Sequence, residues 1–289
     1  MPIFAWRFLH RRNGDVKSCQ ELHGGPQAHM ITLPSTPQIP KVGFPEADTW
    51  LFYGQPKIGK TEFSLMFPAP LLLELEEGGA DKVAGHVINI PDLKEKAAPL
   101  DQVADVFELF RKSPKFKTLI IDTIDMVNDW VEVEALEYIS RKMKRTYEVM
   151  GEAPEGTDWA ESRKRMMGFI QAAKGLRKTV IFLAHSQATS GEKGSMEQKA
   201  MTIDLPGKLK RRLPARVDNI GYLYGVKENH PVTKKLIINR YVSFQPYMDL
   251  EAGTRNKELA GKVLPITDAN GLPSIKAISD CFKPQTLKK

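Results

Sequence analysis

Residues 49–61 read TWLFYGQPKIGKT. The first five (TWLFY, 49–53) have the apolar and aromatic composition of a buried strand. The next eight (GQPKIGKT, 54–61) satisfy GxxxxGK[ST] at every fixed position: Gly54, Gly59, Lys60 and Thr61. Between a strand and a helix, such a loop turns backbone N–H groups toward one point, where the helix dipole already favours an anion. The two glycines permit close backbone approach, Lys60 reaches the β- and γ-phosphates of a nucleotide, and Thr61 offers a hydroxyl to Mg²⁺. Gly54, Gln55, Pro56, Lys57, Ile58, Gly59, Lys60, Thr61 and Glu62 are therefore the expected nucleotide-binding segment, with ATP and Mg²⁺ as its ligands.

Outward from this loop, short apolar runs alternate with helical stretches, the pattern of an α/β protein. PLLLELE (70–76), HVINI (86–90), KTLIID (117–122) and KTVIFLAH (178–185) read as strands. Helices are predicted over 98–112, where Val103, Val106, Phe107 and Phe110 fall at helical spacing, over 127–145 and over 158–176. NIGYLYGV (219–226) and KKLIINRYVSF (234–244) read as a hairpin around KENHPVT. Residues 1–42, rich in Gly and Pro, are predicted to be a flexible arm, and Met30 opens a natural start that would make 1–29 an upstream extension. The ordered domain is expected over 43–256, with a weakly patterned tail over 257–289.

Composition narrows the class. No apolar run is long enough to span a bilayer, and the N-terminus puts its apolar residues before its positive ones, the reverse of a secretory signal. A cytoplasmic protein without membrane attachment is expected. Cys19 and Cys281 are far apart with no CxxC spacing, and the six histidines are scattered, which disfavours a disulfide framework or zinc and leaves oxygen ligands for any metal. The net charge of +7 is concentrated in RKMKR (141–145) and KLKRR (208–212), and a basic cluster suits a polyanionic partner or simply a solvated helix face.

A phosphate loop of this kind needs a carboxylate beside the metal at the end of a neighbouring buried strand. TLIID delivers Asp122 there, so Thr61 and Asp122 are the expected metal ligands, and Asp125 is placed to cap the helix that follows. Where helicase and loader ATPases of the AAA+ type have a glutamate directly after the aspartate, this chain has Thr123. The water-activating acid must come from elsewhere. Glu74, Glu76 and Glu77 stand at the exit of the strand after the phosphate loop, and Glu76 is the residue chosen for that role.

Taken together, the phosphate loop, the acidic exit of LLLELE, LIID and the strand VIFLAH with polar residues at its end resemble the RecA-like ATPases, and among them the phage-encoded nucleotide-binding or single-strand annealing group. The likeness spans roughly residues 49–255. It implies an α/β RecA-like P-loop NTPase with a mainly parallel central sheet flanked by helices and a C-terminal β-hairpin. It implies that the strand-end residue His185, with Ser186 and Gln187 as substitutes, senses the γ-phosphate. Single-stranded DNA would bind through loops at 187–204 and 146–158, with Lys193, Lys199, Lys208, Lys210, Arg211 and Arg212 on the phosphate backbone. A closing strand near 241–259 would bring a cation to a neighbouring subunit's phosphate. Arg255 matches the arginine of that pattern, Gly253 stands in the lysine's place, and Arg240, Lys234 and Lys235 are alternative cations. The implied protein is a DNA-stimulated ATPase of recombination, annealing or repair, a homo-oligomeric ring or filament with a single-strand-binding protein as a further partner, located in the bacterial host cytoplasm if phage-encoded. The alternative is a nucleotide-dependent assembly switch or helicase-loader-like ATPase acting on protein partners. A small-molecule kinase is disfavoured for want of an arginine-rich lid.

Overall fold

Strands that are covered on both faces must be apolar at nearly every position. TWLFYG is buried at all six of its positions, and TLIID at its first four. The computed structural model describes residues 43–76, 83–91, 98–188, 201–229, 236–246 and 250–283. The arm over 1–42 with its Met30 start, and Glu77, Lys193, Lys199, Lys234 and Lys235, lie outside them.

In chain order the elements are β1 (Thr49–Gly54), α1 (Lys60–Ser64), β2 (Pro70–Glu74), β3 (Val87–Asn89), α2 (Pro99–Lys112), β4 (Thr118–Asp122), α3 (Ile124–Met143), α4 (Thr157–Lys174), β5 (Thr179–Ala188), β6 (Met201–Ile203), α5 (Leu209–Arg212), β7 (Asn219–Asn229), β8 (Leu236–Ser243), β9 (Gly253–Thr254), β10 (Val263–Pro265) and α6 (Lys276–Cys281). The sheet runs β10-β8-β7-β1-β5-β4-β2-β3, with β6 on β5 and β9 on β7. From β7 to β3 the neighbours are parallel, while β8 and β10 run antiparallel. This is the predicted RecA-like P-loop architecture, a mainly parallel α/β sheet flanked by helices with β7 and β8 as the hairpin. No helix among the described residues is long and apolar enough to cross a membrane.

The period of two in each strand divides the core. Leu51, Tyr53, Leu73, Val180 and Phe182 face α2, α3 and α4. Trp50, Phe52, Leu72, Ile181 and Leu183 face Phe63 of α1. The α2 side chains expected inside, Val103, Val106, Phe107 and Phe110, are buried. Between α3 and α4 the buried guanidinium of Arg165 bonds Glu161 at 2.9 Å and Glu134 at 3.1 Å, so its charge is paired on both sides.

The segment after residue 256, expected as a tail, is instead part of the domain. Leu259, Ile266, Ile278 and Phe282 enter the same core layer as Trp50 and Phe52, and β10 adds to the sheet beside β8. Its patterning is weak because a three-residue strand and a six-residue helix are too short to display a period.

Candidate nucleotide site

Parallel strands bring their C-terminal ends to one edge, where ligands bind in open α/β sheets. Register does the alignment here. Gly54 stands opposite His185, Glu74 opposite Asp122, and Asp122 opposite Leu183, two residues before His185. Because β5 lies between β1 and β4, a gap one strand wide separates the phosphate loop from Asp122. Thr61, in the first turn of α1, spans it.

Within the loop Lys57 (φ 64) and Gly59 (φ 96) are left-handed. Such alternation turns successive amides inward and makes a concave nest for an anion. Gly54 is needed for a different reason, since a Cβ there would lie 2.5 Å from the carbonyl oxygen of Leu223 on β7. Gln55, Pro56, Lys57 and Glu62 are exposed, and Ile58 packs its side chain over Gly225 toward the hairpin. Lys60, in contrast, is buried, its Nζ donating to the carbonyls of Gly54 and Gln55 at 3.1 Å each. Burial lowers its pKa, against the pull of Asp122, Asp125 and Glu76.

Thr61 Oγ1 donates to Asp122 Oδ2 at 2.7 Å, across 61 positions of sequence. Burial raises the Asp122 pKa, and the Thr61 hydrogen bond opposes that rise. No group of three or more His, Cys, Asp or Glu side chains able to hold a metal occurs among the described residues. One hydroxyl and one carboxylate beside a phosphate nest are the oxygen donors Mg²⁺ uses when phosphates complete its shell, so the residues fit that ion.

The Asp122–Thr123 peptide is cis. Thr123, the residue standing where loader ATPases carry their glutamate, donates through Oγ1 to Glu76 Oε1 at 3.0 Å. Glu76 thereby joins the site, close enough for its charge to act on Lys60, Asp122 and His185. Asp125 does not cap α3. The helix N-cap is Thr123, without a side-chain cap, and the Asp125 carboxylate accepts from both the backbone N and the Nδ1 of His185 at 2.9 and 3.0 Å. The sequence offered no sign of this pair beyond two polar residues at adjacent strand ends.

That pairing raises the His185 pKa, chiefly through the Asp125 hydrogen bond, with burial and Lys60 opposing and Glu76 assisting. A raised imidazole pKa keeps the ring charged to a higher pH than usual. The stability it contributes is complete below the unfolded pKa and is lost as pH rises through the folded value. With His185 in the γ-phosphate role that the resemblance implies, turnover is expected to fall as pH rises through that value, and Asp125→Asn should bring the fall to lower pH. Ring titration by NMR beside a pH–rate profile checks this; unchanged midpoints in the variant would separate His185 from Asp125.

Arg255 is remote from its own phosphate loop. It bonds Asp218 Oδ1 at 2.7 Å, and Asp218 in turn accepts from Thr49, at the start of β1 and so at the opposite end of the sheet. Arg240 of β8 is the cation the fold brings to the loop. Its Nη1 lies 3.4 Å from Glu62, and a Cβ on Gly59 would stand 2.7 Å from it. Of the basic residues assigned to DNA, Lys208, Lys210, Arg211 and Arg212 gather on and beside α5.

No curated protein matches the chain. A solved structure similar to it is that of a KaiC-like protein from the hyperthermophilic archaeon Pyrococcus horikoshii OT3, 15% identical, with a TM-score of 0.42, covering 77% of this chain and 87% of that one. A family model described as an AAA domain matches residues 47–256. That span begins just before β1 and ends just after Arg255, so it takes in the phosphate loop, Glu76, Asp122 and His185 alike, and the chain belongs to this AAA-domain family as a P-loop ATPase.

Proposed function

We propose that the chain hydrolyses ATP and uses the nucleotide to control single-stranded DNA in phage-type recombination, annealing or repair. One observation carries the link: β5 bears both ends of the coupling. His185 stands at the nucleotide edge, and its carbonyl accepts the Asp204 N–H at 2.9 Å. Asp204 follows β6, which is paired antiparallel to the end of β5, and lies four residues before Lys208. A shift of His185 toward or away from a γ-phosphate is thus transmitted through one hydrogen bond to the root of the basic α5.

In this reading the loop amides and Lys60 hold the triphosphate, Thr61 and Asp122 hold Mg²⁺, and Glu76, oriented by Thr123, accepts the proton of the attacking water. The bound ion would supply charge neutralisation between the β- and γ-phosphates. His185, charged through Asp125, donates toward the γ-phosphate. Subunits of a homo-oligomer would add the cation in trans, for which Arg255, at the far end of the sheet, would have to leave Asp218.

The test is ATP turnover with and without single-stranded DNA across a salt series. Stimulation by DNA that weakens steeply with salt is expected, since phosphate contacts release counterions. Turnover that rises with protein concentration but ignores DNA would instead make the chain a loader-like assembly switch acting on protein partners.

A further inference from the structure

The segment at 187–204 contains no aromatic residue, so if it alone held DNA, charge would have to supply the affinity. The fold places aromatics close by. On the sheet face that α2, α3 and α4 cover further along, tyrosines form a continuous row across three strands. Tyr53 of β1 lies beside Tyr222 of β7 in the parallel register, with ring centroids 5.1 Å apart. Tyr222 stacks on Tyr224 at 5.8 Å with planes 13° apart. Tyr224 stacks on Tyr241, its direct partner across β8, at 5.8 Å and 29°. Tyr53 is buried, whereas Tyr222, Tyr224 and Tyr241 are partly exposed.

The inner end of this row meets the root of that segment and the basic helix. Tyr53 donates its hydroxyl to the carbonyl of Met201, the first residue of β6, at 3.3 Å. Glu251 is close enough for its charge to act on Tyr53, and Arg211 of α5 acts in turn on Glu251. Leu209 and Leu213, on either side of the basic side chains, are buried in the cluster against which Tyr222 packs. Among the described residues Lys208, Lys210, Arg212 and Arg216 form no ion pair, so four cations on and beside α5 remain for a polyanion after Arg211 is set against Glu251. At the outer end Glu228 is bonded to Asn239.

We propose that Tyr222, Tyr224 and Tyr241 are a base-stacking platform for single-stranded nucleic acid whose phosphates are held by the basic residues of α5. The proposal rests on the DNA-binding reading above and assigns its stacking surface. The partly exposed surface of such a row offers a base a π-contact whatever its identity, while lysine and arginine at one end track the backbone; such a groove is sequence-tolerant. The positive end selects a polyanion over an apolar protein partner for the same face.

Fluorescence anisotropy of the full chain with labelled oligothymidylate, and with an abasic oligonucleotide of equal length, tests it. Tyr224→Leu with Tyr241→Leu keeps apolar bulk and removes the rings, and should weaken oligothymidylate binding by about tenfold or more. Abasic binding should be unchanged, as should the slope of affinity against salt, and Tyr224→Phe should bind like wild type. Lys210→Ser with Arg212→Ser should weaken both ligands and flatten the salt slope. ATP turnover without DNA, which these tyrosines do not touch, reports that each variant is folded. Undiminished oligothymidylate binding by the double leucine variant, or an equal loss on the abasic strand, overturns the platform while leaving DNA binding intact. Absence of binding by the wild-type chain overturns both.

Discussion

Lys60→Ala is expected to lower kcat/KM for ATP by about a hundredfold or more, the scale on which a preorganised charge at a reacting phosphate contributes. Lys60 is the buried cation of the loop, and its Nζ is already held at the mouth of the nest by the carbonyls of Gly54 and Gln55. The same burial that lowers its pKa means that folding works against its charged form, so removing the ammonium relieves a desolvation cost. The carbonyl of exposed Gln55 can turn to water instead. The variant should therefore remain folded while losing nucleotide affinity, measured with a fluorescent ATP analogue. An unchanged kcat/KM in a folded Lys60→Ala protein would remove triphosphate binding from this loop and with it the functional reading.

Glu76→Gln should separate binding from chemistry. Amide for carboxylate preserves the acceptor that the Thr123 hydroxyl reaches at 3.0 Å but cannot take a proton from water. A loss of about a hundred- to ten-thousandfold in kcat, with the affinity for ATP retained, is the expected result. Thr123→Val, which leaves the acid in place and removes the group orienting it, should lower kcat in the same direction by a smaller factor. Single-turnover measurement distinguishes these from slow product release. Wild-type kcat in Glu76→Gln would transfer the role of base to another acid of the same edge, Asp125 being next in reach of Lys60 and His185.

The position of Thr123 shows how a departure from a familiar pattern is accommodated. No glutamate directly follows Asp122; Thr123 in that place bonds Glu76 from the neighbouring strand exit at 3.0 Å, and the proposed mechanism gives that acid the role of base. Likewise Arg240 and Gly59, far apart in the chain, meet because the β7–β8 hairpin lies against the loop. Neither pairing has a local sequence signature.

Contiguous chemistry was readable in advance. The phosphate loop is eight consecutive residues recognisable by their own pattern, and the strands and helices around it are long enough to show their periods. Asp122 was expected at a strand end beside the loop, and the fold brings it within 2.7 Å of Thr61. What needed the folded chain was every relation between strands: β5 lying between β1 and β4, Asp125 engaging His185 rather than capping α3, residues 257–283 entering the core, and Tyr241 completing the row begun by Tyr53. Strand order and register in a parallel sheet are settled by long-range burial of both faces at once, and no short window of residues contains that information.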